Sequence, residues 1–169
     1  MIVVVIIISG RSSEKIGDKL QVILPVAAWG CAIAGGNGVS FFGRYLLLEA
    51  GIKIPKHTLG EAPINQRPDG GLRGFPSGHT AAATFGATGL AQTCMSHNKL
   101  AQGSVLLAAA FTGGSRIEAD THTIWQVLAG AIWGWFAQCA ALVWFDNIIR
   151  KASRAVVRVF YLLKRLVYG

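Results

Sequence analysis

The sequence predicts an all-α membrane protein, a polytopic bundle of about five to six transmembrane helices. Three observations carry that prediction. Charged residues make up 14% of the 169-residue chain and mean hydropathy is +0.45, whereas soluble domains carry about 25% charged residues. Apolar residues gather into blocks at roughly 2–9, 20–36, 38–52, 78–96, 100–113 and 123–149. Six of the sixteen Lys and Arg residues fall in the last twenty positions, which hold no acid. No repeat or low-complexity linker divides the chain, so residues 1–169 read as a single domain.

The block at 2–9 is strongly apolar but ends at Gly10-Arg11. It lacks the basic opening and small-residue cleavage site of a signal peptide and reads as a short or incomplete first span. The blocks at 20–36 and 38–52 are short, and Arg44 and Glu49 interrupt the second of these; both suit tilted or partly interfacial helices. Blocks 78–96 and 123–149 meet the requirement of about 20 apolar residues for a spanning helix. Gly78, Ala82, Gly86 and Gly89 form a stripe of small residues that permits close helix contact. Trp125 and Trp144 suit interfacial anchoring, and Trp133 and Trp135 packing or lipid contact. Cys31, Cys94 and Cys139 lie in apolar blocks without metal-ligand spacing and are expected as packed free thiols.

The net charge of +8 does not form a basic stripe interleaved with aromatics, so nucleic acid is not an expected partner. Residues 150–169 read instead as a basic, amphipathic, cytoplasmic tail. Counting crossings back from that tail puts residues 116–122 and 53–77 on one face, and 97–99 and 35–38 on the other. The two polar loops with unusual chemistry therefore share a face.

Those loops hold Lys56 to Arg67-Pro68, then Pro76-Ser77-Gly78-His79, then Ser115-Arg116 to His122 and Gln126. Ser77 stands at the N-cap position of an apolar helix, whose first amides and dipole attract anions, phosphate in particular. Arg67 and Arg116 supply planar forks that match phosphate oxygens. Two histidines complete the set, one to attack phosphorus and one to protonate the departing oxygen. No carboxylate cluster has metal spacing, so no metal and no cofactor are expected. His57 and His97 read as ordinary interfacial residues.

In these motifs the chain resembles the type 2 phosphatidic acid phosphatase family, the membrane branch of the superfamily that includes vanadium haloperoxidases and bacterial acid phosphatases. The family pattern is Lys, six residues, Arg-Pro; then Pro-Ser-Gly-His; then Ser-Arg, five residues, His, three residues, Asp. The resemblance implies an all-α bundle that hydrolyses a phosphomonoester or pyrophosphate lipid without a metal. It implies that His122 is the nucleophile that forms a phosphohistidine and His79 the general acid. It implies that Arg67, Ser77, the Gly78 amide and Arg116 bind the phosphate oxygens.

Two positions depart from the pattern. Gly60 stands where the family has Lys, and Lys56, four positions upstream, is the candidate for that role, with Arg73 as a substitute cation. Gln126 stands where the family has Asp, one helical turn after His122; Asp120 and Glu118 are the nearby carboxylates. Two functions follow from this. One is a lipid phosphate phosphatase of the bacterial inner membrane with its site on the outer face, whose partners are the bilayer and its lipid substrate. The other is a catalytically impaired family member that serves as a structural or interaction subunit, with a protein partner in a membrane complex.

Overall fold

The computed structural model describes residues 10–139, and among them it is all-helical with no strand. The apolar block at 2–9, Trp144, the end of the last apolar block and the basic tail lie outside the described residues. Helix α1 spans Gly10–Ala34, α2 Gly38–Thr58, α3 Gly78–Gln92 and α4 Lys99–Glu118. Residues 124–139 are also helical, here α5, and a single 3-10 turn, Pro63–Asn65, lies in the long connection between α2 and α3.

The chain alternates in direction, and close approaches fix the register. Pro25 of α1 meets Gly86 of α3, and Ala28 meets Gly89, at a constant 61-residue offset, so α1 and α3 run parallel. A Cβ at Gly86 would collide with the Leu24–Pro25 backbone, which shows why the small-residue stripe is there. Gly130 and Gly134 of α5 bring that helix equally close to the Ser77 and Ala81 carbonyls, again in parallel with α3. Helices α2 and α4 run the opposite way. The N-termini of α1, α3 and α5 therefore share one end of the bundle with the C-termini of α2 and α4. Both polar loops lie at that end, as the alternation of spans predicts.

Helix α3 is the axis of the core. Ala81, Ala83, Phe85 and Ala87 are fully buried, and the Phe85 ring packs edge-on to Phe41 at 5.0 Å and to Tyr45 at 5.9 Å. Outward-facing positions are also apolar: Val26 on α1, Val39 on α2, Leu107 on α4 and Ile132 on α5 are each more than half exposed.

Three expectations need correction. First, α1 starts about ten residues before its apolar block, because buried Ser13 and Gly17 continue the face that packs on α4. Second, the 78–96 block is not a full-length spanning helix. Helix α3 has 15 residues, about 22 Å at 1.5 Å per residue against a bilayer core of about 30 Å, and it closes where the Thr93 hydroxyl bonds the Gly89 carbonyl at 2.7 Å. Among the described residues, only α1 is long and apolar enough by itself to cross a membrane, and 28% of its apolar window is buried. Third, Cys31 and Cys94 are not free thiols but form a disulfide, with Cα atoms 5.9 Å apart. The parallel register of α1 and α3 brings this pair together, a contact that spacing alone does not reveal. Cys139 is free, half-buried, and accepts from Gln92 Nε2.

Candidate active site

The start of α3 supplies the floor. Ser77 is at the N-cap position but does not cap: its hydroxyl pairs with Thr80 Oγ1 at 3.0 Å, and it makes no bond to a helix amide. The first amides of α3 are thus left for another acceptor. Lys56, at the C-terminal end of α2, stands over this terminus; a Cβ at Gly78 would lie 3.8 Å from its Nζ. Burial, then the Arg67 charge, lower the Lys56 pKa, with Glu49 opposing.

Asn65 explains how Lys56 reaches the site across an unusual sequence spacing. This fully buried side chain donates to the Lys56 carbonyl at 3.3 Å and the Gly60 carbonyl at 2.7 Å, and accepts from the Phe75 amide at 3.2 Å. It ties the end of α2, the 3-10 turn and the approach to Pro76 into one knot. Arg67 leaves that knot half-buried, and its Nε is buried with no hydrogen-bond partner among the described residues. A buried, unpaired guanidinium nitrogen is costly unless an anion completes it.

His122 closes the other side. It is 3% exposed, and its Nδ1 lies 3.1 Å from Gln126 Oε1. The glutamine orientation is not ambiguous: its Nε2 donates to the Ile64 carbonyl at 2.9 Å and the Gln66 carbonyl at 2.7 Å. Its Oε1 also accepts from the Thr123 amide at 3.2 Å. An acceptor facing Nδ1 puts the proton there and leaves the lone pair on Nε2. Burial first, then the neighbouring Arg67, Lys56 and His79, lower the His122 pKa to about 4, with the Gln126 bond opposing. At neutral pH the ring is uncharged and nucleophilic at Nε2. Gly74 makes room for this arrangement, since a Cβ there would run into the Gln126 amide.

Arg116 is 3% exposed and held by α1. Its Nη1 donates to Asp18 Oδ1 at 2.9 Å, its Nη2 to the Glu14 carbonyl at 2.6 Å, and its Nε to Ser115 Oγ at 3.3 Å. The same Asp18 oxygen lies 3.2 Å from His79 Nε2.

The structure thus gathers His122, His79, Gln126, Arg67, Ser77, Gly78, Arg116 and Lys56 at one end of the bundle. It does not bring in Arg73, which is exposed with φ 65°. Glu118 accepts from Ser13 at 2.6 Å and Asp120 is exposed, so neither replaces the missing family carboxylate at His122. His57 and His97 are exposed. Sequence reasoning missed Asp18, Glu14, Asn65 and Gly74. The four-residue step from Ser13 to Gly17 was the one available sign that α1 begins early and carries acids to the site. Among the described residues no three His, Cys, Asp or Glu side chains are grouped as metal ligands.

Two histidines and a cluster of cations thus meet at a helix N-terminus on an all-helical scaffold. In the comparison with protein families, the PAP2 superfamily matches over residues 1–150, and the chain belongs to that superfamily. Membership indicates a phosphatase or related hydrolase. No curated protein and no solved structure gave a significant match.

Proposed function

We propose that the protein is an integral membrane lipid phosphate phosphatase that acts through a phosphohistidine on His122. The observation that carries the lipid reading is a cavity of about 520 Å³ between α1, α2 and α3. Val22, Val26, Trp29, Phe41 and Phe42 line it, together with Gly78, His79 and Lys56. An open, mostly apolar groove whose lining includes one cation and one histidine of the site, Lys56 and His79, suits an amphiphile with a phosphate head. The apolar outer surfaces of four helices suit immersion in a bilayer, which is the expected setting for such a substrate.

In this reading His122 Nε2 attacks phosphorus while the bond to the lipid oxygen breaks, and His79 gives that oxygen its proton. Lys56, Arg67 and the Gly78 amide hold the non-bridging oxygens as charge develops, with Arg116 behind them. Water then attacks the phosphohistidine, His79 takes the water proton, and inorganic phosphate leaves with His122 restored. Gln126 keeps Nδ1 protonated throughout. A neutral partner suffices to fix the tautomer, although it gives the transient imidazolium less help than a carboxylate would.

The test is phosphate release from a panel of phosphatidate, phosphatidylglycerol phosphate, undecaprenyl pyrophosphate and lipid A phosphate. Release by wild type, blocked by vanadate and lost in His122→Ala, is expected. Unchanged release in that variant would remove the mechanism. No turnover on any lipid, with a stably co-purifying partner, would support the subunit reading instead.

A further inference from the structure

We propose that Asp18 is the positioning residue for the acid histidine, holding His79 and Arg116 on one carboxylate oxygen. The inference rests on the phosphohistidine reading above.

The two histidines of the site have different partners. His122 faces an amide oxygen, which fixes its tautomer and adds no charge. His79 faces a carboxylate at 3.2 Å. A nucleophile needs a free lone pair and an acid needs a proton, so a neutral partner on the first and an anionic one on the second divide the roles correctly. The charge that the family pattern puts beside the nucleophile is found here beside the acid.

The setting of His79 makes that carboxylate consequential. Burial and the positive Arg116, Lys56 and Arg67 all push its proton off, while Asp18 acts the other way. These groups come from α4, α2 and the α2–α3 connection; His122 faces the cluster from the α4–α5 loop, and Glu14 from α1.

Asp18 is also held in place. A Cβ at Gly17 would collide with Ser115, so α1 lies flush against the end of α4. Arg116 Nη2 to the Glu14 carbonyl at 2.6 Å and Ser13 to Glu118 at 2.6 Å fix the turn that precedes Asp18. An exposed ion pair would contribute little, but Arg116 is buried and spends Nη1 on this oxygen. Glu14 Oε1, at 3.7 Å from Nη1, is the more distant second carboxylate.

With Asp18 on Nε2, His79 keeps its other ring nitrogen for the leaving oxygen. The proton passes from imidazolium to alkoxide as the P–O bond breaks. In the second half-reaction the neutral ring takes a proton from the attacking water, and Asp18 stabilises the imidazolium that results.

The experiment compares wild type, Asp18→Asn and Asp18→Glu on two substrates, phosphatidate and p-nitrophenyl phosphate. The first has a poor leaving group that needs an acid, and the second has a good one. Asn should lower the rate of phosphatidate cleavage by on the order of 10²-fold while largely keeping the pre-steady-state burst of p-nitrophenol, which needs no acid; Glu should restore part of the loss. An equal slowing of phosphatidate cleavage and of the p-nitrophenol burst would overturn the proposal, as would a gain in both, which would mean that Asp18 competes with phosphate. A second readout does not depend on turnover. Imidazole ¹⁵N titration, with the His79 signal assigned through His79→Gln, should show a lower His79 pKa in Asp18→Asn, and an unchanged pKa would overturn the proposal. If wild type turns over no substrate, the functional reading fails while this titration still decides the role of Asp18.

Discussion

Replacing Gln126 by Glu restores the negative charge that the family pattern has beside the nucleophilic histidine, at unchanged side-chain length. If the glutamine were merely an eroded carboxylate, activity would rise. The geometry predicts the opposite. Gln126 is 1% exposed and its Nε2 donates to the Ile64 and Gln66 carbonyls. A glutamate has no hydrogen for either carbonyl and puts an oxygen against both. At about 1–3 kcal/mol for each abandoned buried group, the loss is roughly 2–6 kcal/mol. The strain falls on the segment that carries Arg67, so both stability and phosphate binding should suffer. Gln126→Asp is a methylene shorter and should fail as well. Phosphate release and thermal unfolding in detergent, measured on both variants, test this. A variant with higher turnover and an unchanged melting temperature would refute the reasoning that this glutamine is built into the site.

His122 titrates near pH 4 in the folded protein, so the acid limb of kcat/KM should fall near pH 4, not near 6.5; a limb near 6.5 would contradict the buried geometry. Because the folded pKa is depressed, the unfolded chain binds more protons between pH 6.5 and 4. The stability at stake is therefore present above 6.5 and lost as pH falls, by about 3 kcal/mol, which a pH series of unfolding measurements reads. Asn65→Ala removes three bonds from the α2–α3 connection, so hydrogen exchange across residues 59–77 should accelerate and KM rise, while α4 keeps its protection. The Cys31–Cys94 pair lies at the end opposite the site, and a cytoplasmic basic tail would place it among reducing thiols. Alkylation before lysis reads which side this end faces: a protected disulfide, as in the structure, puts it on the oxidising side, and two alkylated thiols put it in the cytoplasm.

The parts of this site that were legible in the sequence are those encoded locally. Pro76-Ser77-Gly78-His79 announces a helix start, and Ser115-Arg116 with His122 marks the end of α4. Gln126 follows His122 at the distance that puts two side chains on one helix face, and their bond is present. Lys56 was half legible. Its spacing from Arg67 departs from the pattern, and only the Asn65 knot shows how the chain between them folds back. Asp18 was not legible, because its contacts with His79 and Arg116 depend on the register of α1 against α3 and α4. The disulfide was hidden for the same reason. The length of α3 was misread because hydropathy reports burial without distinguishing lipid from protein: Ala81, Ala83 and Phe85 are apolar because other helices surround them.

The central claim is that His122 becomes covalently phosphorylated. Rapid acid-free quench of the full-length protein with ³²P-labelled phosphatidate, followed by peptide mapping, tests it directly. The account predicts an acid-labile, base-stable label on His122 that is absent from His122→Ala and that accumulates in His79→Gln challenged with p-nitrophenyl [³²P]phosphate. Steady turnover by wild type with no label on His122 under any quench would contradict it.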